Sequence, residues 1–273
     1  MEQPTPKETL TSVKSLADKV QRLLVDCYGL EPDRLPQASG YIWDEPLEKL
    51  EEGLGQKLKP ESRSAVFSWQ KKGKINSIIY LDPEIQQQLA EASPQSLLEG
   101  DHLSAFSDLI EEVSHFVYQY WYFQKFGEKA GSPNVELQAV LDRYLIPHQM
   151  AEQSLARGLT PKTEQQILEQ NESVHKADSF KEARPVAYVL GHEGGEHLIN
   201  LLSDIFSQEM DPAGFLSRFY QADERGRWQF LLEDLGLKIR FIKHTEVEAA
   251  QEYLSQFDLA LSEDNIIRTS AQY

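Results

Sequence analysis

A single cysteine, Cys27, rules out an intramolecular disulfide and any zinc cluster built on thiolates. Cys27 lies inside an apolar helical pattern, where a small buried residue is expected rather than a nucleophile. Basic residues are also scarce, with 27 Lys and Arg against 44 Asp and Glu and a formal charge of −17. A nucleic acid or an anionic membrane surface selects for Lys and Arg, so neither is expected as a partner. No apolar run approaches the roughly 20 residues needed to cross a bilayer. The start, Met1-Glu-Gln-Pro-Thr-Pro-Lys, lacks the charged-then-apolar leader of a secreted protein, so the expected compartment is the cytoplasm. Glycine-rich phosphate loops, a Gly-x-Ser-x-Gly nucleophile elbow and a dinucleotide fingerprint are all missing, as are internal repeats.

What is present is a folding chain, with 40% hydrophobic and 10% aromatic residues. Val13, Leu16, Val20, Leu23 and Leu24 recur at helical spacing, and Thr11 or Ser12 is the expected cap of a helix ending at Tyr28-Gly29. Loops around one short helix, Pro46 to Glu52, fill the stretch to Pro60. Two β-rich runs follow, Ala65–Trp69 and Ile75–Leu81, joined by the polar Gln70–Lys74, which predicts a hairpin. Asp82-Pro83 opens a helix through Ala92. Two long helices are expected next. One runs from about His102 to Phe126, and the other starts at Ser132-Pro133 and bends or ends at Pro147.

The expected organisation is an N-terminal helix and loops over 1–60, a sheet-plus-helices core over 61–156, a polar linker or long loop over 157–180 and a helical region over 181–273. Within the last region the pattern predicts helices over 186–206, 212–222, 225–235 and 246–261, with a short strand at 238–242. The fold class is therefore α+β, predominantly helical, with a small antiparallel sheet packed on a helical core. The aromatic run Tyr118–Phe123 is expected in packing, with a partner-binding patch as the alternative. Arg225 and Arg227, set beside aromatics, are expected to pair with local carboxylates.

The chemistry concentrates in Glu111-Glu112-Val113-Ser114-His115. Glu111 and His115 are four apart on one helix, so both can reach one divalent ion. Glu112 lies about 100° round the helix, near enough to address water at such an ion. Glu136, twenty-one residues past His115, can face the pair from the start of the next helix.

This strand, helix and glutamate-bearing helix resemble the gluzincin metallopeptidases and their compact minigluzincin relatives over roughly residues 64–150. Those carry His-Glu-x-x-His on one helix and a glutamate ligand on the next. The resemblance implies a zincin-like core in which His115 and Glu136 are ligands, Glu111 stands where the first ligand histidine would be, and Glu112 is the general base. Two carboxylates with one imidazole admit Mn²⁺ as well as Zn²⁺. The acidic residue one turn beyond the third ligand is replaced by Val140. The implied function is a divalent-metal domain, and by extension a metal-dependent hydrolase. The competing reading is a catalytically silent zincin-like scaffold that binds a protein partner, for which Glu111 would be salt-bridged or exposed and His115 packed.

A second cluster, Gly191-His192-Glu193-Gly194-Gly195-Glu196-His197, offers two residue pairs at spacing four, His192 with Glu196 and Glu193 with His197. The alternative there is a polar helix face whose glycines admit a neighbouring helix. A diiron carboxylate bundle would use Glu112-x-x-His115, but Glu193-x-x-Glu196 lacks the matching histidine.

Overall fold

The computed structural model describes residues 5–55, 57, 64–155, 159–173, 185–207, 213–241 and 243–268. The protein is a predominantly helical α+β fold. Its first helix, α1 (Pro6–Tyr28), starts a turn and a half before the expected cap. Thr5 and Glu8 form a capping box and Pro6 occupies the first turn, satisfying amides that Thr11 would have left exposed. Val13, Ala17, Val20 and Leu24 are completely buried. Each large apolar side chain so buried contributes about 1.5–3 kcal/mol. The helix ends at Gly29, whose φ of 61° is left-handed.

A short helix, α2 (Leu47–Leu54), precedes the hairpin of β1 (Ser64–Lys71) and β2 (Lys74–Leu81). The strands pair antiparallel from Ser64↔Leu81 to Lys71↔Lys74. The turn is tighter than the five residues anticipated. Lys72 and Gly73 both have positive φ, 52° and 70°, as a two-residue turn matched to strand twist requires. Alternation follows the pleat: Ile75, Ser77, Ile79 and Leu81 are buried. Ile42 adds a parallel bridge to Ile79 on the far side of β2.

Asp82 caps α3 (Pro83–Glu91) through the amide of Glu84. The two long helices follow as α4 (Gly100–Phe126) and α5 (Ser132–Leu155). Gly127, at φ 78°, stops α4, and its N–H reaches the Phe123 carbonyl at 2.8 Å. Pro147 does not end α5. The helix runs two further turns past it, with Leu145, Ile146, Met150 and Ala151 buried on either side. Packing of that apolar face outweighs the lost backbone bond.

Residues 161–173, expected within a linker or long loop, form α6 (Pro161–Ser173), whose Ile167 is buried against the core. The rest of the chain gives α7 (Val186–Ser207), α8 (Ala213–Gln221), α9 (Glu224–Gln229), β3 (Ile239–Phe241), α10 (His244–Ser255) and β4 (Ile266–Arg268). A single turn of wider helix, Phe230–Asp234, continues α9. The last predicted helix is shorter than expected at its C-terminal end, because Phe257 and Leu259 turn back on Leu254. The strand at 238–242 is present as β3, and β4 pairs with it in parallel. The chain ends, residues 174–180, Pro212 and Ile242, all covered by sequence expectations, lie outside the described residues. No helix among the described residues is long and apolar enough to cross a membrane.

One hydrophobic core runs through α1, α4, α5, α7 and the elements after them. Its polar centre is a buried ring. Asp142 accepts from Ser114 Oγ at 2.5 Å, from Gln138 Nε2 at 2.9 Å and from the Tyr28 hydroxyl. Gln138 in turn accepts from Arg227 Nη2 at 2.8 Å. Arg227 has no solvent exposure, and its guanidinium lies 4.5 Å from the Phe219 ring centre and 4.9 Å from that of Tyr118. The expected pairing of Arg227 with a local carboxylate is thus replaced by a glutamine and two aromatic faces. Tyr28 also stacks on Tyr220 at 4.1 Å, and its carbonyl accepts from Ser217 Oγ at 3.0 Å.

The start of α5 is tied to the C-terminal region. Glu224 accepts the Gly131 N–H, and Tyr253 donates to Glu224 at 3.1 Å and accepts from Asn134 Nδ2 at 3.1 Å. A Cβ at Gly131 would lie 2.9 Å from Glu224 Oε2 and 3.0 Å from the Tyr253 hydroxyl. Gly131→Ala is expected to destabilise the fold by about 1–3 kcal/mol through this overpacking. Chemical denaturation checks it, and an unchanged midpoint would mean that the tie has slack.

Candidate metal site

The site is built where α4 crosses the start of α5 beneath the inner face of β1. Glu111 and Glu112, with His115 one turn on, sit in the middle of α4, whose apolar residues Leu109, Ile110, Val113 and Phe116 are completely buried. That burial fixes the helix rotation and thereby turns the three polar side chains towards β1 and α5. The ligand atoms of these three residues all lie within 4.8 Å of one another, the one such group of three among the described residues.

Glu136, on α5, lies outside that group of three but flanks His115. Its Oε2 lies 3.8 Å from His115 Nε2, while Glu112 Oε2 lies 3.6 Å from His115 Nδ1. Both distances exceed a hydrogen bond. The imidazole is therefore flanked at each nitrogen by a carboxylate, with 13% of its side chain exposed. His115 Nε2 and Glu112 Oε2 are buried with no hydrogen-bond partner. Two atoms on one ion of 2.0–2.1 Å bond length can stand up to about 4.2 Å apart, so the 3.8 Å gap is one an ion can bridge.

Glu111 is shared with a residue the sequence reading overlooked. Arg143 Nη1 donates to Glu111 Oε2 at 2.8 Å. The signal was available, since Arg143 lies two turns beyond Glu136 on the same face of α5. Counting charges, a divalent ion with neutral His115 brings the three carboxylates and Arg143 to balance. A protonated His115 without an ion leaves one negative charge over.

The electrostatics follow from burial and crowding. Burial pushes the Glu112 and Glu136 carboxyls up, only partly offset by His115. Burial works against the imidazolium at His115, but Glu136, Glu112 and Glu111 together outweigh it and hold its pKa at about 9. Solvent reaches the site through a cleft of about 150 Å³ lined by Val66 and Ser68 of β1, His115 and Gln119 of α4, Lys129, and Ser132, Val135 and Glu136. Gln119 Oε1 is buried there without a partner, and Lys129 spans the cleft margin to the Ser68 carbonyl at 3.0 Å.

The second predicted cluster does not assemble. His192 and Glu193 are buried in α7, and His197 Nε2 lies 3.1 Å from the Leu235 carbonyl. Among the described residues no three ligand atoms of His192, Glu193, Glu196 and His197 converge. The glycines of that segment admit a neighbouring helix instead, α5. Compared with models of protein families, curated proteins and solved structures, the chain finds no match.

Proposed function

We propose that the chain is a zincin-like domain that holds one divalent ion, Zn²⁺ or Mn²⁺, through His115, Glu136 and Glu111, and that it is a metal-dependent hydrolase. The observation that carries the reading is the orphaned His115 Nε2, facing Glu136 across 3.8 Å at the floor of a solvent-reached cleft. Leaving the buried His115 nitrogen unpaired costs about 1–3 kcal/mol, which an ion would recover. The ion would supply Lewis acidity towards a carbonyl or water in the cleft.

The chain's own residues have distinct parts. Glu112 faces Nδ1 of His115, the place from which a carboxylate sets the imidazole tautomer so that Nε2 is free to ligate. Its raised pKa also suits it to take up a proton, the general-base part that the resemblance implies. Arg143 neutralises one oxygen of Glu111 and leaves the other to the ion. Gln119 presents an unpaired acceptor to the cleft and Lys129 a cation at its margin.

The silent-scaffold reading is favoured by two observations, the short Arg143–Glu111 pair and the packing of His115, whose side chain is 13% exposed. Elemental analysis of protein purified without a histidine tag separates the two readings, with a Glu111→Ala/His115→Ala double variant beside it. Near-stoichiometric metal in the parent and its loss in the variant is the expected result. No metal in either, even after incubation with Zn²⁺ and Mn²⁺, would sink the hydrolase and turn the search to protein partners.

A further inference from the structure

We infer that Gly191 is a positioning residue for Glu136, acting from the helix behind it; for metal affinity the inference rests on the reading just given. Gly191, Gly194 and Gly195 recur at the i, i+3, i+4 spacing of one helix face, and this face of α7 lies directly on α5. The three are not equivalent. A Cβ at Gly194 would meet Leu137 Cδ1 at 2.6 Å, the far end of a flexible side chain. One at Gly195 would meet Val140 Cγ1 at 2.5 Å and Cβ at 2.7 Å, a turn away from the site. At Gly191 it would lie 2.5 Å from the Cβ of Glu136, 2.9 Å from the Leu137 nitrogen and 3.0 Å from the Pro133 carbonyl oxygen.

Two of those three atoms are backbone and the third is the first atom of the Glu136 side chain, so no rotamer change can relieve the contact. Carbon atoms rest about 3.5–4.0 Å apart, so a methyl group at 191 must drive the helices apart by on the order of 1 Å. The first turn of α5 has no slack to absorb this, because Glu224 and Tyr253 hold Gly131 and Asn134 from its other end. The Glu136 carboxylate would then move relative to His115, which belongs to a different helix. A ligand set tolerates only about 0.5 Å of such error. Gly191 thus fixes where the glutamate stands, while Gly194 and Gly195 serve packing alone.

The test compares Gly191→Ala with Gly195→Ala, which overpacks the same pair of helices at Val140. Both should lower the melting temperature. Competition against a chelating dye should show Zn²⁺ affinity about tenfold or more weaker in Gly191→Ala, and nearly unchanged in Gly195→Ala. Crystal structures grown in EDTA give a readout independent of metal. Gly191→Ala should open the Glu136 Oε2 to His115 Nε2 separation beyond 3.8 Å, and Gly195→Ala should keep it. Equal weakening by both variants, or a retained separation in Gly191→Ala, overturns the positioning role while the metal reading stands on the parent protein. If the parent binds no Zn²⁺, the metal reading falls and the crystallographic separation alone decides the role of Gly191. Should Gly191→Ala fail to fold, hydrogen exchange on the unsubstituted protein substitutes. Slowing by Zn²⁺ at residues 187–195 as well as 133–141 supports the role, and slowing confined to α4 and α5 overturns it.

Discussion

In EDTA, the free energy of unfolding is expected to fall as pH rises from about 4 to about 9, the reverse of ordinary acid denaturation. The sign follows from proton counting. Asp142 is buried, and its folded pKa is pushed up to about 6 from 3.8 despite the bonds from Ser114, Tyr28 and Gln138. Between those values the folded state holds a proton that the unfolded chain has released, so stability drops with rising pH. His115 acts in the same direction at higher pH. Its folded pKa of about 9 against an ordinary 6.5 gives stability that is fully present below 6.5 and lost as pH rises through 9. Each limb amounts to about 3 kcal/mol, at 1.36 kcal/mol per unit. The raised carboxyls of Glu112, Glu136 and Glu224 steepen the lower limb. Among the described residues His148, lowered chiefly by burial, works against the trend near pH 6, and Glu8, lowered by its bonds with Thr5, does so near pH 4. Urea unfolding followed by tryptophan fluorescence across the range measures both limbs. Asp142→Asn should flatten the lower and His115→Asn the upper. Flat stability in the parent would mean that water or ions compensate these groups.

Arg227→Met is expected to destabilise the protein by about 3–5 kcal/mol although methionine fills most of the volume. The guanidinium is joined to Asp142 through Gln138 and draws down the carboxyl pKa that burial raises. Removing one partner of a buried charged set leaves the other uncompensated. Adding Asp142→Asn to Arg227→Met removes that second charge and should return at least about 1 kcal/mol. A double-mutant cycle by chemical denaturation measures the return. Strict additivity would show that Asp142 and Arg227 are energetically separate, with stacking on Tyr118 and Phe219 accounting for the loss.

The parts of the fold legible in the sequence are those whose signals are local. The faces of α1 and α4 follow from apolar spacing, and the hairpin from alternation about Lys72-Gly73. The placing of Glu111 and His115 one turn apart, with Glu112 about 100° round the helix, needed only the helical period. What escaped needed partners distant in the chain. Isolated residues 161–173 are too polar to predict α6, and Ile167 becomes helical by packing on the core. Pro147 looks like a terminator until the buried residues beyond it are seen. The three residues of β4 mean little without β3, with which they pair in parallel. At the site, the period of α5 places Arg143 on the face of Glu136, but a motif of ligands carries no signal for their counter-charges. Arg227 was misjudged because sequence proximity suggested carboxylates, while the fold supplied Gln138 and two aromatic rings.

The contacts of Tyr28 set the order in which the chain can be assembled. Its hydroxyl meets Asp142, and its carbonyl is bonded by Ser217 and Gln221, close to 190 residues downstream. At a synthesis rate of roughly 5–20 residues per second, α1 leaves the ribosome on the order of 10–40 seconds before α8 exists. Throughout that interval α1 can pack on α3 and α4, but the aromatic stack on Tyr220 cannot form. The first helix made is thus completed only when α8 arrives, which leaves Tyr28 without its partners Ser217 and Tyr220 until late in synthesis.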